Sequence, residues 1–275
     1  MNGTPGSSLI ASPQNPWVKD LVNLRKDGEA RRAQRRFFLE GLRGVEAALN
    51  LEHVAIHELV LCEHLLSAEA HRALSAGAQR KGVSIVRVSK DVFKKLADVV
   101  TPQGAAAVVA MPEWSLEGML ATPQPLLVVA CGIQDPGNLG TLIRSCEAAG
   151  AAGLIALEGT ADPYNAKVVR STAAGLLALP ILRMRGAAFL EAVRSKVNRL
   201  VAADASAGTS YRNLDWKRRP LALCIGSEGA GLPPELEAAC RERVAIPMRG
   251  SAESLNAAVA ASILLFEAQA EKLTT

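Results

Sequence analysis

The sequence predicts an α/β protein of two domains, with a mostly parallel sheet in the second, larger domain. Apolar runs of strand length alternate with segments of helical pattern along nearly the whole chain, which is the order that builds βαβ units. Only 4% of the residues are aromatic, while Ala, Leu and Val dominate, as is typical of helices packed on a parallel sheet. The proline-containing stretch PEWSLEGMLATPQP divides these alternating strands and helices into an N-terminal and a C-terminal group. We therefore expect domains over 1–112 and 125–275, joined by a linker over 113–124.

The first domain is expected to be a compact α/β unit. Its polar residues 1–15 are predicted to be frayed, and two or three short helices follow, interrupted at Gly28 and at the FFLEG stretch. Strands and helices then alternate up to the linker. The predicted strands cover 56–61, 83–88 and 105–111, and the predicted helices cover 67–78 and 91–97.

Four arginines near the start of this domain, Arg31, Arg32, Arg35 and Arg36, follow the spacing i, i+1, i+4, i+5. On a continuous helix this spacing crowds them on one face. Such a face is either a solvated helix surface or a stripe that contacts RNA phosphates. The formal net charge of +4 permits a polyanionic partner without requiring one, so both interpretations stay open.

The second domain is predicted to repeat the order strand, turn, helix. A buried strand over 126–133 is followed by a turn, a helix over 139–149 that ends at Gly150, and a strand over 153–157. Further helices and strands follow as far as the loop YRNLDWKRRP. That loop combines Tyr211 and Trp216 with basic residues, as is typical either of an RNA-stacking loop or of a solvated connector.

Two glycine- and serine-rich loops near the end of the chain each lie between an apolar strand and a helix. The first covers 226–232 and precedes a helix opened by Pro233 and Pro234; the second covers 249–253 and precedes a long helix predicted to be amphipathic. Glycine lets a backbone approach a ligand closely because it has no Cβ. Loops of this kind predict a site for a small polar ligand.

Polar residues follow three of the predicted strands of the second domain. Ligands of open parallel sheets bind at the carboxyl ends of strands, so these side chains are expected to converge. Each also has a local interpretation as a helix cap, a turn cap or a partner in an ion pair. The residues are Asn138, Arg144, Glu228, Ser254 and Asn256.

Several familiar sites are absent from the sequence. It has no GxxxxGK[ST] phosphate loop, no GxGxxG after the first strand of either domain, no GxSxG nucleophile turn and no HExxH. The five cysteines form no CxxC pair, and the four histidines have no zinc-site spacing. We expect buried, reduced cysteines and no metal site. Without an apolar stretch of membrane length or a signal pattern, the protein is expected to be soluble and cytoplasmic.

Three segments together resemble, in order and spacing, the motifs of the SpoU (TrmH-like) RNA ribose 2′-O-methyltransferases of the SPOUT class. They read DPGNLGTLIRSCEAAG, LCIGSEGAGLP and IPMRGSAESLNAAVAASILLFE. The stretch SPQNPWVKDLVNLR…RRFFLEGLRGVEAAL and the TPQG sequence at 101–104 resemble the ribosomal-protein-like RNA-binding domain often fused in front. One departure lies in KVVRSTAAGLLALP, where relatives usually place glycine at the position of Ala174, so the turn geometry there is in doubt.

The resemblance implies a fold that general rules disfavour, because SPOUT proteins thread their C-terminal segment through a loop to form a trefoil knot. It also implies S-adenosylmethionine as cofactor, RNA as substrate and a homodimer with the site at the interface. By position, the expected backbone contacts to the cofactor come from Gly226, Ile246, Met248 and Leu255.

The same resemblance assigns Arg144 to the ribose hydroxyl, with Asn138 positioning it and the other polar residues shaping the site. A guanidinium, with a pKa above about 12, is a weak general base. We therefore expect Arg144 to hold the adjacent phosphate and to stabilise the developing alkoxide. Arg170 is a candidate phosphate contact, and an ion pair on the helix surface is the alternative.

The expected function is thus methylation of a ribose 2′-hydroxyl, with ribosomal RNA, 23S in particular, favoured over transfer RNA because of the separate RNA-binding domain. Two other functions stay open. One is a non-catalytic RNA-binding or ribosome-assembly protein on the same fold, and the other is a SPOUT enzyme that methylates a base nitrogen. A nicotinamide oxidoreductase is remote, because the glycine fingerprint is missing.

Overall fold

A computed structural model describes residues 9–197, 199–251 and 253–270. The chain forms two compact units. The first contains the residues up to Glu113 together with Tyr164–Leu177, and the second contains Trp114–Pro163 together with the residues from Ala178 onward. The predicted domain limits of 1–112 and 125–275 remain a prediction, because the short segment 164–177 packs within the first unit although its sequence lies within the second predicted domain.

The first unit is built on a four-stranded mixed sheet in the order β1-β4-β2-β3. The fourth strand is antiparallel to its two neighbours, and the other pair is parallel. The strands are β1 (Arg36–Glu40), β2 (Ile56–Leu61), β3 (Ser84–Arg87) and β4 (Ala105–Ala110). The helices before the linker are α1 (Pro16–Lys26), α2 (Gly28–Gln34), α3 (Leu42–Asn50), α4 (Ala68–Lys81) and α5 (Lys90–Leu96).

The predicted strands and helices of this unit are confirmed within a few residues, but β1 was not predicted. The FFLEG stretch was expected only to interrupt the helices. In the structure Phe37, Phe38 and Leu39 are all buried, and β1 pairs along its whole length with β4. A strand buried on both faces lacks the alternating pattern, and a pairing with residues about 70 positions away leaves no local signal.

The second unit is built on a six-stranded sheet in the order β10-β8-β9-β5-β6-β7, and all its pairings are parallel, as predicted. The strands are β5 (Leu126–Ala130), β6 (Gly153–Leu157), β7 (Ile181–Met184), β8 (Arg199–Ala203), β9 (Leu221–Ile225) and β10 (Glu242–Val244). The remaining helices of the chain are α6 (Leu116–Leu120), α7 (Pro136–Ala148), α8 (Ala166–Ser171), α9 (Gly175–Ala178), α10 (Gly186–Val193), α11 (Pro234–Ala239) and α12 (Ala257–Ala268). Of these, α8 lies in the segment that packs within the first unit.

Apolar side chains of the strands form the core of the second unit. One cluster joins strand residues such as Leu127, Ile155 and Cys224 to Phe189 of α10 and Leu236 of α11. The cysteines of the chain are buried and unpaired, as predicted. Among the described residues no helix has the length and apolarity needed to cross a membrane, and no cluster of His, Cys, Asp and Glu could hold a metal ion.

Helix α12 differs from its prediction. It was expected to be amphipathic, but Ser262 and Glu267 are its only polar residues, so apolar side chains lie on all its sides. One side packs against α7, where the hydroxyls of Ser145 and Ser262 are 2.7 Å apart. Val259 and Phe266, seven residues apart, are 46% and 44% exposed. Helix α12 therefore presents an apolar surface that the rest of the described chain does not cover.

Candidate active site at the carboxyl edge of the parallel sheet

The candidate site lies where the chain leaves three neighbouring strands, β10, β8 and β9. These strands are parallel, so their carboxyl ends meet at one edge of the sheet. The loops that follow them, together with α12, surround a cavity of about 380 Å³. A cavity of this size at this edge is a usual place for a small-molecule ligand.

The loop after β9 is a tight turn that glycine makes possible. The backbone N–H of Ser227 donates to the carbonyl of Gly231 at 3.2 Å, and the N–H of Gly231 donates back at 3.0 Å. A Cβ on Gly226 would lie 2.4 Å from the carbonyl carbon of Gly231, so no other residue fits there without moving the backbone. Gly231 has φ of 65°, which also favours glycine. The loop thus places backbone atoms without side chains at the cavity wall.

The cavity wall offers main-chain groups with no other partner. Within the described residues, several lining residues have main-chain N–H and C=O groups that make no hydrogen bond, and Gly226, Ile246, Met248 and Leu255 are among them. Unpaired backbone donors and acceptors in a partly enclosed site are available to a ligand. All four were predicted as cofactor contacts, and the structure brings them together around one cavity.

A polar cluster of Asn138, Glu228 and Asn256 borders this cavity. The Nδ2 group of Asn256 donates to Oε1 of Glu228 at 2.7 Å and to Oδ1 of Asn138 at 2.9 Å. Asn138 Nδ2 donates to the same Oε1 at 3.3 Å, and the N–H of Ala257 donates to it at 3.2 Å. Glu228 also lines the cavity, so the cluster and the cavity form one continuous site.

Two helix caps fix the orientation of this cluster. Asp135, not Asn138, caps α7, since its carboxylate accepts from the N–H of Asn138 at 2.8 Å. The interpretation of Asn138 as a helix cap is therefore wrong, and its side chain is available to the cluster. Asn256 does cap α12, accepting from the N–H groups of Ala258 and Val259, while its Nδ2 group serves the cluster.

The remaining two predicted catalytic residues are exposed. Ser254 lines the cavity. Arg144 lies on α7, six residues beyond Asn138, and in the described part of the chain it forms no hydrogen bond or ion pair. It does not line the cavity. The structure thus joins Asn138, Glu228, Ser254 and Asn256 to the cavity and leaves Arg144 beside them with an available guanidinium.

A second polar group at the cavity, around Asp204, was not predicted. Oδ1 of Asp204 accepts from the N–H and the hydroxyl of Ser206 at 2.8 and 2.7 Å. Arg243 bridges Oδ2 of Asp204 at 3.4 Å and Oε1 of Glu237 at 2.7 Å. The Ser206 hydrogen bonds, and then Arg243, lower the pKa of Asp204. The detectable signal was an acid placed directly after a parallel strand.

The predicted arginine stripe in the first unit is not a helix face. Helix α2 ends at Gln34, Arg35 adopts a left-handed conformation with φ of 50°, and Arg36 begins β1. Arg31 is only 2% exposed and donates to the carbonyls of Leu24 and Arg25. The expectation of one shared exposed face is therefore wrong, because the chain reverses at Arg35.

The other stripe arginines are accessible to different degrees. Arg35 pairs with Glu113 at 3.0 Å and Arg36 pairs with Asp20 at 2.6 Å. Arg32 is exposed. In the later loop, the predicted stacking residues Tyr211 and Trp216 are buried, so that loop has the features of a connector.

Arg170 takes part in an ion-pair network within the first unit, which matches the alternative interpretation of this residue. Its guanidinium contacts Asp98 at 3.2 Å and Glu40 at 3.7 Å, and Arg25 contacts Asp98 at 3.5 Å. Burial raises the pKa of Glu40, and the hydrogen bond from the Asp98 N–H and the nearby arginines oppose that effect. The network attaches α8 to β1 and α1.

Family models match both parts of the chain. Residues 125–266, more than half of the chain, match the SpoU rRNA Methylase family, and residues 15–107 match the MRM3-like substrate binding domain. The chain belongs to the SpoU rRNA methylase family. The three motif segments that suggested this family contain the residues that meet at the cavity and its polar cluster.

Relatives of this SpoU methylase are similar over most of its length. The 23S rRNA (guanosine(2553)-2′-O)-methyltransferase RlmP of Bacillus subtilis is 32% identical over 257 residues, 94% of this chain and 97% of its own. The 23S rRNA (uridine(2479)-2′-O)-methyltransferase of Streptomyces viridochromogenes is 37% identical over 196 residues, 69% of this chain and 68% of its own. The AdoMet-bound rRNA methyltransferase from Sinorhizobium meliloti has a TM-score of 0.84 at 32% identity, covering 96% of this chain and 98% of its own.

These findings confirm the predicted family, the two-part α/β fold, the RNA methyltransferase activity and S-adenosylmethionine as cofactor. The cavity of this SpoU methylase fits the cofactor. It has unpaired main-chain groups at Gly226, Ile246, Met248 and Leu255, and the turn after β9 packs its backbone so closely at Gly226 that a Cβ there would meet Gly231. When bound, S-adenosylmethionine supplies an activated methyl group on a sulfonium.

Proposed function

We propose that this SpoU methylase transfers a methyl group to the ribose 2′-hydroxyl of a single nucleotide in 23S rRNA. The observation that carries this proposal is the continuity of the cofactor cavity with the Asn138–Glu228–Asn256 cluster through Glu228. Both named relatives modify a ribose of 23S rRNA, although at different nucleotides. A transfer RNA substrate is the alternative. We also propose a cytoplasmic location, which a ribosomal RNA substrate supports.

The chain's residues divide into two roles in this proposal. Main-chain groups of Gly226, Ile246, Met248 and Leu255 hold the cofactor. Asn138, Glu228, Ser254 and Asn256 orient the ribose at the mouth of the cavity, which converts a collision between two molecules into a reaction at fixed geometry.

Arg144 is proposed to bind the phosphate next to the target ribose. A guanidinium can make two parallel hydrogen bonds to a phosphate, and its charge stabilises the oxyanion that develops on the 2′-oxygen. Its exposure and its freedom from partners among the described residues support this role. Because it lies on α7, close in sequence to Asn138, one helix carries both the phosphate contact and a member of the polar cluster.

The first unit is proposed to bind the RNA, with 1–112 as the RNA-binding domain, 113–124 as linker and 125–275 as the catalytic domain with its trefoil knot. The match to a substrate binding domain over 15–107 supports this division. Phosphate contacts are assigned to Arg32, and to Arg35 and Arg36 once RNA competes for their ion pairs, of which the Arg35 pair is exposed and the Arg36 pair is half-buried. Arg31 is not among the proposed phosphate contacts, because it is buried. Arg170 can contact a phosphate only if its ion pairs with Asp98 and Glu40 are broken.

A homodimer through the catalytic domain is proposed from the apolar surface of α12. Val259 and Phe266, about two helical turns apart, leave two apolar side chains of this helix in contact with solvent. Such a surface is usually covered by a partner. A twofold contact with the same helix of a second copy would bury it. Arg144, on the neighbouring helix α7, would then act on a cofactor held by the other protomer.

The proposed function is tested by methylating rRNA from a strain that lacks the gene. Purified protein and S-adenosylmethionine with a labelled methyl group are incubated with total rRNA or total transfer RNA, and the products are digested to nucleosides. We expect label in one 2′-O-methylnucleoside, at a single position of 23S rRNA. Label on a base, or on transfer RNA alone, would contradict the proposal, and the absence of label would favour a non-catalytic assembly protein.

A further inference from the structure

The two carboxylate oxygens of Glu228 have different surroundings. Oε1 accepts three N–H groups, from Asn256 at 2.7 Å, Ala257 at 3.2 Å and Asn138 at 3.3 Å. Oε2 receives no hydrogen bond from any residue that the structure describes. A carboxylate oxygen has about two lone-pair positions. Oε1 is therefore saturated, and its three bonds fix the carboxylate with Oε2 as the only oxygen available to a further donor.

The other acidic side chains at the cavity are occupied. Asp204 and Glu237 share the guanidinium of Arg243, at 3.4 and 2.7 Å. The members of the polar cluster other than Glu228 are amides, which do not accept a proton at neutral pH. A guanidinium such as that of Arg144 has no acceptor atom. Glu228 is thus the one carboxylate that lines the cavity, belongs to the cluster and has an oxygen without a partner among the described residues.

We propose that Oε2 of Glu228 accepts the proton of the ribose 2′-hydroxyl during methyl transfer. This inference rests on the proposed function. A hydroxyl that attacks carbon must lose its proton as the new bond forms, and a positioned base assists this step. The 2′-O–H bond breaks and an O–H bond forms at Oε2, while the 2′-oxygen bonds to the methyl carbon. The bond from that carbon to the sulfonium sulfur would break at the same time, and its electron pair would stay on the sulfur of the leaving S-adenosylhomocysteine. The proton then passes to water after the product leaves.

This assignment separates the tasks of the two charged residues. Arg144 stabilises negative charge on the 2′-oxygen and holds the phosphate, while Glu228 removes the proton. Asn138 and Asn256 are positioning residues in this scheme, since their Nδ2 groups both bind Oε1 and leave Oε2 without a donor from the cluster. The N–H of Ala257 at the start of α12 completes the set of three donors.

The test compares Glu228→Gln, Glu228→Ala and the matched control Glu235→Gln, which removes an exposed carboxylate from the first turn of α11. Glutamine keeps an oxygen for the three N–H donors and replaces Oε2 by an NH₂ group. Three quantities are measured for each variant: the S-adenosylmethionine dissociation constant by calorimetry, the RNA dissociation constant, and the single-turnover rate on 23S rRNA with and without sodium formate, with sodium chloride at equal ionic strength.

We expect Glu228→Gln to bind cofactor and RNA within about threefold of wild type and to lose about 10²- to 10⁴-fold in rate, the usual contribution of a general base. Formate, a small carboxylate, should restore the rate of Glu228→Ala at least about tenfold over chloride, and Glu235→Gln should match wild type. A Glu228→Gln rate within about threefold of wild type, or no effect of formate, overturns the proposal. A cofactor affinity lost in Glu228→Gln also overturns it, because Glu228 would then hold the cofactor. An inactive wild type would instead refute the proposed function.

Discussion

At the residue scale, the proposed role of Arg144 requires an exposed guanidinium, and this side chain is exposed and has no partner among the described residues. We predict that Arg144→Ala lowers the single-turnover methylation rate by at least about 10²-fold, because a charge that stabilises the developing oxyanion is lost. The calorimetric affinity for S-adenosylmethionine should stay within about twofold, since Arg144 does not line the cavity. Arg183→Ala, which removes an exposed arginine from β7, is the matched control.

Arg144→Lys tests the geometry of the same contact. Lysine keeps the charge but lacks the planar pair of donors, so a rate clearly below wild type is expected. A near-normal rate would argue against a two-point phosphate contact. Weakened cofactor binding in Arg144→Ala would contradict the division of roles.

Glu58 gives a prediction about stability and pH. Its Oε1 accepts from the indole of Trp17 at 3.0 Å, and burial raises its pKa above the unfolded value of 4.5, against the opposing effects of Trp17 and then Arg36. The stability from this group is therefore fully present below pH 4.5 and is lost as pH rises through the raised folded pKa. Glu58→Gln keeps the acceptor for Trp17 and removes the buried charge.

We expect Glu58→Gln to melt at a higher temperature than wild type at pH 7 to 8, and this difference to shrink as the pH falls towards 4. Thermal melts followed by circular dichroism at several pH values measure it. Glu46→Gln, at an exposed position on α3, should change little at any pH. A destabilised Glu58→Gln at neutral pH would show that the charge of Glu58 is stabilising.

The elements that sequence predicts best are those whose signal is local. The strands β2 and β6 were predicted at their observed limits, because apolar runs bounded by turn residues define them. Strand β1 was missed, since its identity comes from pairing with β4, and the Arg31 to Arg36 stripe failed for the same reason. The convergence of Asn138, Glu228 and Asn256 was predicted from their positions after three strands of a parallel sheet, together with a family resemblance. Asp204 was missed although it directly follows a parallel strand, because such an acid can equally well be a turn residue that lines no cavity.

The turn between α8 and α9 is predicted to carry backbone strain. Ala173 and Ala174 have φ of 50° and 79°, in the left-handed region that favours glycine. A non-glycine residue in the left-handed conformation raises the free energy of the folded state by roughly 1–2 kcal/mol. Ala174→Gly removes this strain, but glycine also gives the unfolded chain more conformational freedom, which lowers the free energy of unfolding by about 0.4–1 kcal/mol. We expect a net gain of roughly 0.5–1 kcal/mol in the free energy of unfolding, measured with urea.

Ala76→Gly is the control for this substitution. Ala76 is exposed in the middle of α4, where glycine should lower stability by about 1 kcal/mol. Equal losses in both variants would mean that the turn at Ala174 is not strained.

At the scale of the whole molecule, the apolar surface of α12 predicts a dimer. The double substitution Val259→Ser with Phe266→Ser should shift the protein from dimer to monomer in sedimentation equilibrium, because both exposed apolar side chains of the contact are lost. Methylation should fall with dimer content if Arg144 acts across the interface. Val100→Ser, which replaces a fully exposed valine of the first unit, should leave the dimer intact. A wild type that sediments as a monomer would contradict the prediction.

The central claim is that the chain after β9, β10 and β8 forms one S-adenosylmethionine site at the edge of the parallel sheet. Calorimetric titration of S-adenosylmethionine into wild type and Gly226→Ala tests it most directly. We predict saturable binding of one cofactor per chain by wild type, and an affinity at least about tenfold weaker in Gly226→Ala, whose Cβ would lie 2.4 Å from the Gly231 carbonyl carbon. Absence of cofactor binding by folded wild type, or equal affinities in the two proteins, would contradict the claim.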